Sequence, residues 1–255
     1  MERGSNDRGC DWFMSTKQVT GRRLSRRTLL AGLLIFIVIP ATILLGIFVL
    51  DDRKYYFISL LIVLYTMIPF ALVFENRKPQ ARELIVIAVL AAIAVAGRAA
   101  FFMLPQFKPV VAIVIIAGVS LGAEAGFLVG AVAGFVSNFF FGQGPWTPWQ
   151  MFCFGIIGFL AGIFFKKGLL KKTKLSLCIF GGLATFLVYG GIINIGSLMM
   201  FTSEFSWSAL MTTYVSAFWF DMVHAISTVV FLFFIANPMI EKLDRIKTKY
   251  GLIEP

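Results

Sequence analysis

The chain has 255 residues and a formal net charge of +10, yet 59% of its residues are hydrophobic and only 14% are charged. A soluble domain carries about 25% charged residues, so this composition excludes a soluble globular protein. The basic residues stand in short clusters between apolar runs. That pattern is typical of the cytoplasmic loops of membrane proteins and argues against a nucleic-acid partner.

The N-terminal third begins with a polar tail, residues 1–28, which ends in a cluster of arginines. Apolar runs follow at residues 29–50 and 56–74. Each is close to the roughly 20 residues that a helix needs to span a bilayer core. The tail is too polar, and the first run too long, for a cleaved signal peptide. The sequence therefore predicts a cytoplasmic basic tail over 1–28 and two N-terminal transmembrane helices within 29–75.

The middle of the chain carries a third run, 84–104, which a proline-flanked connection of sequence PQFKP closes at 105–109. Next comes an apolar stretch, 110–141, interrupted by GAEAG at 122–126. By length alone, this stretch is either one long tilted span or two short ones.

The last third contains three further apolar runs, at 152–165, 175–200 and 210–236. The Gly/Pro-broken segment FGQGPWTPW at 141–149 precedes the first of these runs. The basic loop 166–174 and a polar turn at 201–208 separate the three runs from one another. Asn237-Pro238 predicts the end of the last helix, and residues 242–255 are expected to form a cytoplasmic tail.

The distribution of basic residues decides the number of spans. With eight crossings, seven basic residues of the N-terminal tail, three of the loop 75–83, five of the loop 166–174 and four of the C-terminal tail share one side, which makes 19 of the 23. With seven crossings, the five-lysine loop would face outward, against the positive-inside rule. The sequence thus predicts an all-α bundle of about eight spans with both termini cytoplasmic.

Catalytic and cofactor motifs are absent from the sequence. It has no Walker A, GxSxG or HExxH pattern, and His224 is the only histidine. Asp221 is the only acid within a span, while Glu124 lies at a loop. Because the three cysteines show neither metal-ligand nor disulfide spacing, we interpret them as reduced and structural: Cys10, Cys153 and Cys178. We expect no enzymatic activity, no cofactor and no metal.

Two small-residue patterns indicate close helix contacts, because packing rather than hydrophobicity drives helix association in lipid. Glycines recur every fourth residue and favour internal packing: Gly118, Gly122, Gly126, Gly130 and Gly134, with Gly158 and Gly162. A similar alanine stripe lies on the third run at Ala88, Ala92 and Ala96. Its partner is either another helix of the bundle or a second protein.

Polar and aromatic side chains gather toward the predicted extracellular side. Arg98 either snorkels to the outer surface or faces an outward cavity. Asp221 and His224 share one helical face. We predict a binding site built from residues of the core spans and their outer loops: Arg98, Asn138, Gln143, Trp146, Trp149, Asn194, Trp207 and Asp221. There, Arg98 either meets an anionic ligand group or, when the site is empty, pairs with Asp221 across the bundle.

The order of these features over 83–241 resembles the substrate-binding (S) component of energy-coupling factor (ECF) transporters, a class of vitamin importers. The resemblance implies a six-helix core with an extracellular substrate cavity. It also implies that Ala88, Ala92 and Ala96 contact a transmembrane coupling subunit, which works with two ATPase subunits. The segment SNFFFGQGPWTPWQM, at 137–151, resembles a subgroup associated with cobalamin uptake. The two N-terminal helices depart from the usual six.

Two other classes of protein remain open on the sequence. A secondary transporter would show inverted repeats and more buried ionisable groups, which are not evident here. An integral-membrane enzyme acting on a lipid would need paired acid and base groups with separated pKa values. Asp221 alone makes the second class less favoured than the first.

Overall fold

The computed structural model describes residues 81–202 and 206–250, with the single positions Ile37 and Ala41. In those two ranges the chain forms seven α-helices and one π-helix and contains no β-strand. The helices are α1 (Ala81–Ala100), α2 (Val110–Leu121), α3 (Ala123–Phe141), α4 (Thr147–Lys166), α5 (Lys174–Leu183), the π-helix (Ala184–Gly190), α6 (Gly191–Phe201) and α7 (Trp207–Tyr250). The predicted tail 1–28 and the two helices predicted within 29–75 lie outside the described residues.

Five helices of the described ranges are long and apolar enough to cross a membrane: α1, α3, α4, the continuous segment Lys174–Phe201, and α7. Helix α2 is apolar but has only 12 residues. The all-helical membrane architecture is therefore confirmed for this part of the chain.

A tight turn at Gly122 divides the stretch 110–141 into two helices. The backbone of Gly122 has a φ of 107°, a conformation that side chains with a Cβ rarely adopt. Beyond the turn, α3 folds back on α2, so that a Cβ added at Gly126 would lie 2.6 Å from the Cα of Gly118. The stretch is thus a helical hairpin, not one long span.

The hairpin packs backbone to backbone against α4. A Cβ added at Gly158 would overlap the main chain of Gly126, and one added at Gly130 would lie 2.5 Å from the carbonyl oxygen of Phe154. All twelve residues of α2 are buried in the centre of this arrangement. The glycine repeat therefore allows these helices to pack closely within the bundle.

Helix α7 has 44 residues, a length of about 66 Å at 1.5 Å per residue. The predicted helix end at Asn237-Pro238 is wrong, because the helix continues through Pro238 to Tyr250. Apolar residues beyond the proline hold it in place: Ile240 and Leu243 are buried in the core. Packing there outweighs the loss of one backbone hydrogen bond.

Candidate functional site

Arg98, in the last turn of α1, turns into the bundle. Its Nη1 donates to Ser137 Oγ at 2.5 Å and to Asn138 Oδ1 at 2.8 Å, both on α3. The ring of Phe141 lies 4.7 Å from the guanidinium carbon, within cation–π range. Arg98 is thus bonded to α3 and does not extend freely to the outer surface.

Asn138 extends the hydrogen-bond network to α4. The Nδ2 group of its amide donates to Thr147 Oγ1 at 3.0 Å and to Gln150 Oε1 at 2.9 Å. Thr147 Oγ1 also accepts from the backbone N–H of Gly144 at 3.2 Å. The network thereby ties the broken loop between α3 and α4 to the position of Arg98.

Lys108 brings a second cation to the same end of the bundle. The adjacent Pro109 packs closely against Gly97 of α1. A Cβ added at Gly97 would lie 2.5 Å from the proline ring. Ser227 Oγ on α7 donates to the carbonyl oxygen of Lys108 at 3.1 Å. Burial, and then the nearby Arg98 charge, lower the pKa of the Lys108 ammonium. Two like charges therefore share a half-buried space.

Tyr189 belongs to the π-helix, and its ring lies against Phe154 of α4 and His224 of α7. Its ring is buried and meets the His224 ring edge-on, with centroids 4.6 Å apart. Its phenol lies near Gln150, which belongs to the Arg98 network. Single π-helical turns are frequent at functional sites.

Asp221 bonds to Asn194 and not to Arg98, the partner considered from the sequence. Its Oδ2 accepts from Asn194 Nδ2 at 2.7 Å, and an added Cβ on Gly190 would crowd the same carboxylate. The Arg98–Asp221 ion pair considered above is not formed, since the two groups bond to other side chains. An ion pair does form between Lys247 and Asp244, near the C-terminal end of α7.

The aromatic residues of the predicted site have different environments. Trp149 is only 2% exposed, and an added Cβ on Gly196 would lie 2.7 Å from its ring. Trp146 is half-buried and stands over Gly144. Trp207 is 72% exposed. Trp149 is therefore a core residue, while Trp146 borders the loop.

Gln143 also points away from the polar network. Its side chain is exposed, and its Nε2 donates to the carbonyl oxygen of Phe135 at 3.1 Å. Of the eight predicted site residues, the structure thus brings Arg98 together with Asn138, and Asn194 with Asp221. Gln143 bonds instead to the backbone of Phe135, and the side chain of Trp207 is largely exposed.

Several residues in or beside this network were not among the predicted site residues: Lys108, Ser137, Thr147, Gln150, Tyr189 and His224. A polar residue inside an apolar run is the signal that would have identified Ser137 and Gln150. Tyr189 offers no such signal, because its position depends on the π-helix.

In the described ranges, no three His, Cys, Asp or Glu side chains cluster in a way that could hold a metal ion. The network instead offers amide, hydroxyl and phenol groups with two cations and one carboxylate. Groups of these kinds can bind an organic molecule through hydrogen bonds and charge.

A separate surface on α1 faces away from the core. Ala88, Ala92 and Ala96 are all exposed, whereas Leu90 and Ala91 of the same helix are buried. The alanine stripe is thus not used for packing within the described part of the chain.

Comparison with known proteins identifies a family of transporter subunits. A family model described as ECF-type riboflavin transporter, S component, matches residues 78–239. A UPF0397 protein of Vibrio atlanticus (strain LGP32) is 31% identical over 125 residues, which cover 46% of this chain and 68% of that protein. No solved structure matches the chain.

Two further relatives are also UPF0397 proteins. The one from Aliivibrio salmonicida (strain LFI1238) is 32% identical over 106 residues, 40% of this chain and 56% of that protein. The one from Aliivibrio fischeri (strain MJ11) is 35% identical over 90 residues, 33% of this chain and 49% of that protein. The matched segments thus span about half to two thirds of these relatives.

Proposed function

The chain belongs to the ECF-type riboflavin transporter S component family, and on that premise we propose that it captures a vitamin at the outer face of the cytoplasmic membrane. Members of this family are transporter subunits and not enzymes. The bound vitamin would then pass to the cell interior through association with a transmembrane coupling subunit and two ATPase subunits.

The observation that carries the proposal is the pair of cations at one end of the bundle. Arg98 and Lys108 lie close enough for the charge of the first to lower the pKa of the second. The hydrogen bonds of Arg98 to Ser137 and Asn138 both use its Nη1 atom. A guanidinium has five N–H donors, which suit a carboxylate or phosphate. We therefore propose a vitamin that carries an anionic group.

Cobalamin is the first candidate, because the resemblance of 137–151 points to it and its nucleotide loop carries a phosphodiester. In this assignment, Arg98, Asn138 and Lys108 would face the phosphodiester. Trp146 would stack against an apolar part of the ligand, and Asn194 and Asp221 would accept or donate hydrogen bonds. Riboflavin, which the family description names, is the second candidate, with its phosphate ester as an anionic analogue.

Titration calorimetry on the purified full chain tests the capture step. We expect saturable binding of one vitamin from a panel of cobalamin, riboflavin and riboflavin phosphate. Arg98→Ala and Trp146→Ala should each weaken that binding at least tenfold, equivalent to about 1.4 kcal/mol. Unchanged affinity in both variants would place the ligand elsewhere. Absence of binding across the panel would contradict vitamin capture.

Reconstitution tests the coupling step. The chain has no Walker A motif, so concentrative uptake into vesicles should require a coupling subunit, two ATPase subunits and ATP. ATP-independent concentrative uptake by the chain alone would instead identify a secondary transporter. Turnover of a lipid by the purified protein would identify an enzyme.

The proposed topology has eight spans and both termini in the cytoplasm. It comprises the tail 1–28, two helices within 29–75, a six-helix core over 83–241 and a tail at 242–255. Its support is the charge distribution, with 19 of 23 basic residues on one side. Single cysteines introduced into 166–174 should react with an impermeant reagent only from the cytoplasm. Labelling from outside would contradict this topology.

A further inference from the structure

An apolar groove runs between α4 and α5 at the end of the bundle opposite Arg98. It has a volume of about 680 Å³ and is open on one side. This volume falls within the range of about 300–1,000 Å³ for small-molecule sites. Leu160 and Phe164 of α4 form one wall, and Leu175, Ile179, Leu183 and Leu187 form the other.

The second wall is a stripe with a spacing of four residues. Leu175, Ile179, Leu183 and Leu187 are 54–71% exposed. With a rise of 1.5 Å per residue, the stripe is about 18 Å long. Ala184, a small residue behind the stripe, also lines the groove. An open apolar groove of this length suits a hydrocarbon chain.

The mouth of the groove is basic. Lys171 lines it directly, and Lys172 is its exposed neighbour. The same loop, residues 166–174, contains five lysines and no acidic residue. Each lysine near the surface of a membrane contributes about 1 kcal/mol of attraction to anionic lipid headgroups.

We propose that this groove is a specific site for an anionic phospholipid. One acyl chain lies along the stripe from Leu175 to Leu187, and the headgroup phosphate lies at Lys171 and Lys172. The apolar walls and the basic mouth are complementary to the two parts of one such molecule. This site is separate from the Arg98 network and does not depend on which vitamin the protein binds.

Native mass spectrometry of the full chain, released from nanodiscs, tests the proposal. The nanodiscs contain equal amounts of phosphatidylglycerol and phosphatidylcholine with identical acyl chains, so only the headgroup differs. We expect the wild-type protein to retain phosphatidylglycerol at least tenfold over phosphatidylcholine. Lys171→Gln/Lys172→Gln should reduce this ratio nearly to one.

The matched control removes two charges from the exposed lysine and arginine of α7 at the same end of the bundle. Lys242→Gln/Arg245→Gln should keep the wild-type ratio. Leu183→Trp, which fills the groove, should lower retention of phosphatidylglycerol. A wild-type ratio below two would overturn the proposal, as expected if another part of the chain fills the groove. An equal fall in the control would also overturn it, since the preference would then reflect general charge.

Discussion

The Nη1 atom of Arg98 lies 2.8 Å from the Oδ1 atom of Asn138, although the two residues are 40 positions apart. Because Oδ1 accepts from the arginine, the amide Nδ2 faces Thr147 and Gln150. One buried side chain thus fixes both the cation on α1 and the start of α4. Asn138 is the residue on which the geometry of the proposed site depends.

Asn138→Asp should abolish the preference for an anionic ligand. The substitution keeps the shape of the side chain but gives Arg98 a counter-ion, and an ionised carboxylate cannot donate to Thr147 or Gln150. We expect at least tenfold weaker binding of the vitamin identified by calorimetry. Asn237→Asp, which makes the same change at an exposed position of α7, is the control and should bind like wild type. An Asn138→Asp variant that folds and binds like wild type would show that Arg98 does not meet the ligand.

Binding should also depend on pH through Lys108. Burial, and then Arg98, lower the pKa of this ammonium below its ordinary value of 10.5. An anionic ligand should therefore bind fully while Lys108 is charged and weaken as the pH rises through that lowered pKa. Lys108→Gln should bind more weakly at neutral pH and lose this step. A step that persists in Lys108→Gln would assign the pH dependence to another group.

The glycine contact between α3 and α4 should be intolerant of a single methyl group. In Gly158→Ala, the new Cβ would meet the main chain of Gly126, which cannot rotate away. Overpacking of this kind costs typically about 1–3 kcal/mol. Gly191→Ala is the matched control, because an added Cβ there meets nothing within 4 Å. Thermal unfolding in detergent should show a lower midpoint for Gly158→Ala only; equal midpoints would contradict the packing.

The two neighbouring tryptophans should have different roles. Trp149 is buried against Gly196, so Trp149→Ala should cost about 3–5 kcal/mol of stability, as other large-to-small core substitutions do. Trp146 is half-buried, and Trp146→Ala should lower ligand affinity with little change in the unfolding midpoint. Calorimetry and thermal unfolding of both variants separate the effects. A stability loss confined to Trp146→Ala would reverse this assignment.

The sequence predicted the elements better than the site. Continuous apolar runs identified the spanning helices, and the spacing of Gly118, Gly126 and Gly158 indicated their close contacts. The continuation of α7 past Pro238 was missed because local propensity favoured a break and only tertiary packing of Leu243 opposes it. Such tertiary packing cannot be predicted from the local sequence.

The site was only partly predictable for a related reason. Arg98 and Asn138 were identified because polar groups in lipid are costly and must have partners. Which partner each has depends on helix rotation and depth. The π-helix shifts the register of Tyr189, an effect that hydrophobic periodicity does not reveal. Likewise, the bond of Asp221 to Asn194 depends on how their two helices are rotated against each other, which the sequence does not show.

The alanine face of α1 leads to the last prediction, which concerns coupling. Ala88, Ala92 and Ala96 are exposed beside the exposed apolar residues Val89 and Ile93. Small residues allow helix backbones to approach closely in lipid, and a surface that only faced lipid would have no need of them. We therefore expect a helix of the coupling subunit to lie along this stripe.

Ala92→Leu should block that approach without reaching the vitamin site. ATP-dependent uptake by the reconstituted complex should fall at least tenfold, while calorimetry on the isolated chain should give wild-type affinity. Ser216→Leu places the same side chain on the exposed face of α7 and should leave both measurements unchanged. A parallel loss of uptake and affinity in Ala92→Leu would mean that the stripe packs within this chain. Normal uptake would mean that the coupling subunit binds another surface.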